Sequence, residues 1–387
     1  MITLPVTKIV LRDKLLLLGP PGIGKTEVII SKAKQEAEAK GKIFIDLKAA
    51  TIEEIIQIFK NPNKYYVLYT LNSNSISKDE FGIPRVQNAY GYYFMRLIPP
   101  AVLAVLEIPD IEGVLFIDEI TSLFDDNLFT MYYSIIQAKE ASWFYRFSKK
   151  IKVVLAGNPP DSSSLSRVLP EALRNRLTIV YVTPPSIDEW HDYMMNKYGN
   201  NWGKFAFAYL KIYPNDFYKP PANDNENFPT PRSWDEVARM LVEIEDKEVL
   251  KAYIVGRLGV EVGSRFLSLL ETRITEEDIN NVIRFPPNFS QLDIDKRLLV
   301  VYSVASRINA HNYKQYFDFL KYLGKEREFL ILILQLMEPN TRLALLNINE
   351  LKNIIVPLLK LMIQYESGEY KTVTRFMKEI MQYVGVR

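Results

Sequence analysis

Gly19-Pro20-Pro21-Gly22-Ile23-Gly24-Lys25-Thr26 stands between two stretches of different character. Before it, residues 14–18 (KLLLL) form a short apolar run that reads as a buried strand. After it, residues 27–39 read as a helix, with Val28, Ile29 and Ala33 among the apolar positions. The octet matches G-x-x-x-x-G-K-[ST], the phosphate-binding P-loop. Strand, glycine loop and helix start together aim backbone N–H groups at phosphate oxygens. Gly19, Gly22 and Gly24 let the chain turn tightly and approach an anion, and Pro20, Pro21 and Ile23 complete the loop. Lys25 is the candidate to reach the β- and γ-phosphates, and the Thr26 hydroxyl is the candidate to hold Mg²⁺.

Working outward, residues 43–47 (IFIDL) read as a strand. Residues 51–59 read as a short helix with Thr51 as N-cap and Glu53 and Glu54 in its first turn, where acids suit the dipole. Residues 65–71 (YYVLYTL) are a further strand candidate, 72–100 look loop-like, and 101–107 look helical. Val114-Leu115-Phe116-Ile117-Asp118-Glu119 is an apolar strand ending in two acids, the Walker B pattern. In open α/β sheets ligands bind beyond the carboxyl ends of strands. Asp118 is therefore the second candidate for Mg²⁺, and Glu119 the candidate to orient or deprotonate an attacking water. Residues 127–140 read as a helix, and 142–150 (SWFYRFSKK) as a strand or hairpin packed on the sheet. Residues 151–156 (IKVVLA) read as a buried strand. Asn158 follows, either a water-positioning amide or a turn residue before Pro159. Pro170 opens a helical segment bearing Arg174 and Arg176, which lie two apart and so cannot share a helix face. Residues 177–182 (LTIVYV) are another strand. Strands near 14, 43 or 65, 114, 151 and 177 alternate with helices, which predicts a parallel, doubly wound α/β sheet.

The 387 residues are 48% hydrophobic and 24% charged with a net charge of +2, so charge argues neither for nor against nucleic acid, which is not excluded as a partner. Without cysteine, and with only His191 and His311, thiolate and histidine metal chemistry is not expected. The N-terminus lacks the design of a signal peptide, and apolar runs are too short to span a bilayer, so the default location is cytoplasmic without membrane contact. From Ser186 the pattern turns helical. Ser186 and Glu189 make a capping box, Thr230 opens a second helix with Arg232 in its approach, and 255–270 reads as a third. Residues 291–387 read as amphipathic helices broken at Gly324, Pro339-Asn340 and Ser367-Gly368. The expected division is a nucleotide-binding α/β domain over 1–185, a helical lid over 186–290 and a helical C-terminal interaction region over 291–387.

Together these stretches resemble a AAA+ ATPase, and more narrowly the MoxR-like group. The resemblance rests on GPPGIGKT (19–26), LFIDEI (115–120), AGNPP (156–160), RVLPEALRNRL (167–177) and FPTPRSW (228–234), with 61–84 and 255–270 fitting the same group. It implies a sheet of order 5-1-4-3-2, a helical lid, and a homo-oligomeric ring, usually hexameric, with ATP between subunits. By position it makes Asn158 the sensor 1 residue, Arg232 sensor 2 and Arg176 the finger acting on the neighbour's ATP, with Arg174 in reserve. Leu177 departs from the Phe common in the group, a conservative apolar change. The resemblance also implies a protein client, such as a separate chain of von Willebrand factor A type, that the ATPase remodels or chaperones. Residues 85–96 (RVQNAYGYYFMR) are the candidate client surface, although their aromatics could instead pack onto the sheet or a neighbouring subunit. The rival readings are a nucleic-acid-directed motor or initiator on the same core, and an ATP-gated scaffold with little turnover.

Overall fold

The computed structural model describes residues 2–73, 83–98, 100–122, 126–141, 145–160, 166–220, 226–272, 274–367 and 376. The chain divides into two compact units, Met1–Pro184 and Pro185–Arg387.

The first unit is built on a seven-stranded, wholly parallel sheet. Its strands are β1 (Thr3–Pro5), β2 (Leu15–Leu18), β3 (Ile43–Asp46), β4 (Tyr65–Asn72), β7 (Glu112–Asp118), β10 (Ile151–Gly157) and β11 (Thr178–Thr183). They lie in the order β1-β11-β2-β10-β7-β4-β3. All four leucines of β2 are buried, and so are the five residues from Gly113 to Ile117 in β7. Continuous apolar runs of this kind belong to strands covered on both faces. One face carries Leu16, Leu18, Val67, Leu115, Ile117, Val153 and Leu155. They pack with residues of α2 (Ile52–Lys60), α3 (Ala101–Glu107) and α4 (Asp126–Ala138). Helix α1 (Lys25–Ala39) buries Ile29, Ala33 and Ala37, which belong to no part of that cluster, and contacts β3, β4 and β7. Thr51 caps α2 reciprocally with Glu54, as its sequence position suggested.

The alternative between 43 and 65 resolves as both: β3 and β4 are adjacent strands, with Ile43 opposite Tyr65. The strands at 177, 14, 151, 114 and 65 keep the order 5-1-4-3-2, β3 extends one edge and the short β1 extends the other. The loop-like reading of 72–100 needs correction. Residues 74–82 lie outside the described part, but β5 (Ile83–Ala89) and β6 (Tyr92–Ile98) form an antiparallel hairpin. Tyr90 and Gly91 at its tip have φ of 55° and 83°, the pair of positive angles that a two-residue type I′ connection needs. Of the 142–150 stretch, residues 142–144 lie outside the description, while β9 (Tyr145–Arg146) pairs with β8 (Glu140–Ala141) in a small ribbon.

The second unit is helical, from α6 (Ile187–Tyr198) to α16 (Asn349–Ser367). One hydrophobic core runs through it, with Trp234, Phe207, Phe266, Phe289 and Phe319 fully buried. The single helix expected over 255–270 is two, α9 (Lys247–Leu258) and α10 (Val260–Glu271). Gly259 separates them at φ 79°, where an added Cβ would lie 2.4 Å from the Asn227 carbonyl oxygen. Among the described residues no helix is long and apolar enough to cross a membrane.

Candidate active site

The strand register brings the ends of the candidate strands to within one residue of a common level. Gly157 at the end of β10 pairs with Leu18 at the end of β2, and Asn72 at the end of β4 pairs with Asp118 at the end of β7. The P-loop leaves β2 at Gly19, whose N–H donates to the Gly157 carbonyl at 3.2 Å. The loop reaches α1 through Gly24 at φ 88°, a left-handed conformation that costs a glycine little. Lys25 opens α1 with its side chain only 9% exposed. Its ammonium donates to three oxygens: Gly19 O at 2.7 Å, Pro20 O at 2.9 Å and Asn158 Oδ1 at 2.9 Å. Thr26 donates its hydroxyl to Asp118 Oδ2 at 2.7 Å. Lys25 and Thr26 of the P-loop, Asp118 of β7 and Asn158 after β10, chosen from three separate stretches of sequence, thus meet through two hydrogen bonds, Lys25 to Asn158 and Thr26 to Asp118.

The side chains of Thr26 and Asp118 present hard oxygens next to each other, the donor type that Mg²⁺ takes. Glu119 is exposed and has φ 58°, uncommon for a residue with a side chain, and its N–H donates to Asp118 Oδ1 at 2.9 Å. Such a backbone costs of order 1–3 kcal/mol and tends to be kept at functional sites. The turn breaks the strand's alternation just where the two acids diverge.

Two neighbours of Glu119 carry no motif. Asn72 Nδ2 donates to Glu119 Oε2 at 3.3 Å, and Ser73 Oγ donates to the Glu119 carbonyl at 2.7 Å. Both sit at the end of β4, and only the pairing of β4 with β7 reveals them.

Arg176 is half-buried, with its guanidinium 4.6 Å from the centre of the Tyr133 ring and Nη1 donating to the Ala172 carbonyl at 2.7 Å. Arg174, the last residue of α5 (Glu171–Arg174), is exposed. Arg232 belongs to the second unit. It lies inside the first turn of α8 (Pro231–Glu243), not ahead of the helix, and is exposed. Trp234, two residues on, is fully buried and donates its indole N–H to the Asp216 carbonyl at 2.8 Å, which fixes that turn.

No family model matches the chain, and no curated protein matches it. Solved structures do. A RuvB variant of Thermotoga maritima is 15% identical over 82% of this chain and 81% of its own, with a TM-score of 0.30. NtrX of Brucella abortus is 16% identical over 90% and 66%, with a TM-score of 0.33. The ORC2 protein of Aeropyrum pernix, solved as ADPNP–ADP complexes, is 13% identical over 91% and 90%, with a TM-score of 0.32. At these scores none of them fixes the fold, which rests on this chain's own strand order and P-loop.

Proposed function

We propose that this chain is a Mg²⁺-dependent ATP hydrolase of the AAA+ type, within the MoxR-like group that its motifs resemble. The observation that carries the reading is the group formed by Lys25, Thr26, Asp118 and Asn158 across the ends of β2, β7 and β10. In this reading Lys25 and the loop amides hold the β- and γ-phosphates. Thr26 and Asp118 hold Mg²⁺, which when bound neutralises charge on the phosphates. Glu119 takes a proton from water, Asn158 orients that water, and Arg176, with Arg174 in reserve, completes the site of a neighbouring subunit in a ring. Arg232 acts as the lid's arginine. Location in the cytoplasm belongs to the same proposal.

The client is proposed to be a protein, such as a von Willebrand factor A-type chain, engaged through the β5–β6 hairpin. In support, Tyr90, Tyr92 and Tyr93 are 100%, 77% and 77% exposed, so none of them is buried among the described residues. The test of the chemistry is steady-state phosphate release with Mg²⁺ and ATP in the parent and in Glu119→Gln. The carboxamide cannot accept a proton, so binding should persist while turnover falls about 10²- to 10⁴-fold. Equal turnover in both proteins would remove Glu119 as the base, and no turnover in the parent would favour the ATP-gated scaffold.

A further inference from the structure

Thr121 lies in the single turn of 3-10 helix, Ile120–Ser122, that follows Glu119, and it is 2% exposed. Its hydroxyl oxygen accepts the backbone N–H of Asn158 at 2.8 Å, and its carbonyl accepts the N–H of Arg167 at 2.8 Å. The turn itself is closed on Glu119, whose carbonyl accepts from the N–H of Ser122 at 2.9 Å and from the hydroxyl of Ser73. The contact with Asn158 exists because residue 157 is glycine. A Cβ there would lie 2.6 Å from Thr121 Cγ2 and 2.7 Å from Thr121 Oγ1, so the threonine side chain occupies the space a larger residue would fill.

We infer that Thr121 is a positioning residue that sets the placement of Asn158 relative to Glu119. The inference rests on the hydrolase reading and deepens it. The two groups assigned to the attacking water come from strands β7 and β10, and each can be well formed yet misplaced relative to the other. The Thr121 hydroxyl joins the turn carrying Glu119 directly to the backbone of Asn158. Asn158 in turn accepts from Lys25 through its side-chain Oδ1, so the Thr121 hydroxyl is tied to Lys25 through Asn158. The bond to Arg167 extends the tie to the start of the 167–177 segment that bears Arg174 and Arg176. Reaction rates respond steeply to such placement: a misplacement of about 1 Å can cost about 10²-fold.

Thr121→Ser and Thr121→Ala both lose the methyl group and differ by one oxygen, so the comparison isolates the hydroxyl. The full chain is assayed for nucleotide affinity by calorimetry with a non-hydrolysable ATP analogue, for kcat and KM, and for melting temperature. The expectation is that Thr121→Ala loses about 10- to 100-fold in kcat with affinity and KM changed less than about threefold, and that Thr121→Ser keeps kcat within about threefold of the parent. Gly157→Ala, which displaces the threonine from the other side, should reproduce the kcat loss of Thr121→Ala. Equal kcat in Thr121→Ser and Thr121→Ala would overturn the inference. So would loss of affinity and kcat together in step with melting temperature, the pattern of a merely structural contact. A parent without turnover would instead overturn the hydrolase reading, and this inference with it.

Discussion

Replacing Lys25 by alanine tests the phosphate site most directly. The ammonium is held by three oxygens at 2.7–2.9 Å, a full set for its three N–H donors, and it projects from the first residue of α1. A unit positive charge about 4 Å from a phosphate charge contributes about 4 kcal/mol at an effective dielectric constant of about 20. At about 1.4 kcal/mol per decade that is nearly three decades of affinity. The loop amides and Mg²⁺ remain in the variant, so the expected loss is about 100- to 1,000-fold in Kd for ATP. The same change leaves the carbonyls of Gly19 and Pro20 without their donor, at about 1–3 kcal/mol for a buried acceptor. For a unit of this size that is about 2–4 °C in Tm per kcal/mol. Affinity is read by titration calorimetry on protein shown to be folded at the assay temperature, with Lys25→Met as a control that keeps the aliphatic stem. A Kd within about threefold of the parent in a folded Lys25→Ala protein would refute the assignment of this loop as the phosphate site.

Three further outcomes are expected, two from the proposed function and one from an ion pair of the fold. Tyr92→Ala/Tyr93→Ala should melt with the parent, within about 0.5 kcal/mol, because neither ring is buried, and should lose only client-stimulated turnover; a clear fall in Tm would place the rings in a packed surface instead. Arg176→Ala should bind ATP normally, hydrolyse it poorly and regain activity when mixed with Lys25→Ala protein, whereas the same pattern in Arg174→Ala alone would transfer the role to Arg174. Glu112 receives hydrogen bonds from Lys40 and Lys42, which push its carboxyl down from 4.5 to about 2. Its contribution to stability is therefore complete above about pH 4.5 and is lost as pH falls toward 2. Because the Lys40 side chain is 44% exposed, the parent should exceed Glu112→Gln by only on the order of 1 kcal/mol near pH 6, with the gap closing on acidification; a gap that widens in acid would contradict the assignment.

Local sequence carried much of the first unit. The P-loop is contiguous, its flanking strand and helix differ in hydrophobic period, and β7 is an unbroken apolar run, so each could be read without knowing its neighbours. The β5–β6 hairpin could not. Its described side chains are exposed on both faces, as the neighbours Tyr92 and Tyr93 show, so they give no alternation of apolar and polar residues to read, and Pro84, Gln87 and Asn88 make the sequence look like a loop. The break at Gly259 was hidden because α9 and α10 each have helical spacing and join with no residue between them except the glycine. At the site, the residues with a motif were legible and those without one were not. Asn72, Ser73 and Thr121 are ordinary polar residues at strand ends, and only register and backbone direction bring them to Glu119 and Asn158. The left-handed φ of Glu119 leaves no trace in composition at all.

The fixed registers that pair Asn72 with Asp118 and Leu18 with Gly157 make the unit unequally tolerant of changes in length. A residue added to or deleted from β4 or β7 would turn every following side chain to the opposite face and carry Asn72 or Asp118 about 3.3 Å along its strand, even if the sheet still formed. The chain between those strands is under no such constraint, since its length alters neither strand's register. The hairpin at 83–98 lies in that interval, between Asn72 and Glu112. An insertion or deletion is thereby accommodated more readily in the segment with the exposed tyrosines than at the strand ends, where it would displace Asn72 or Asp118.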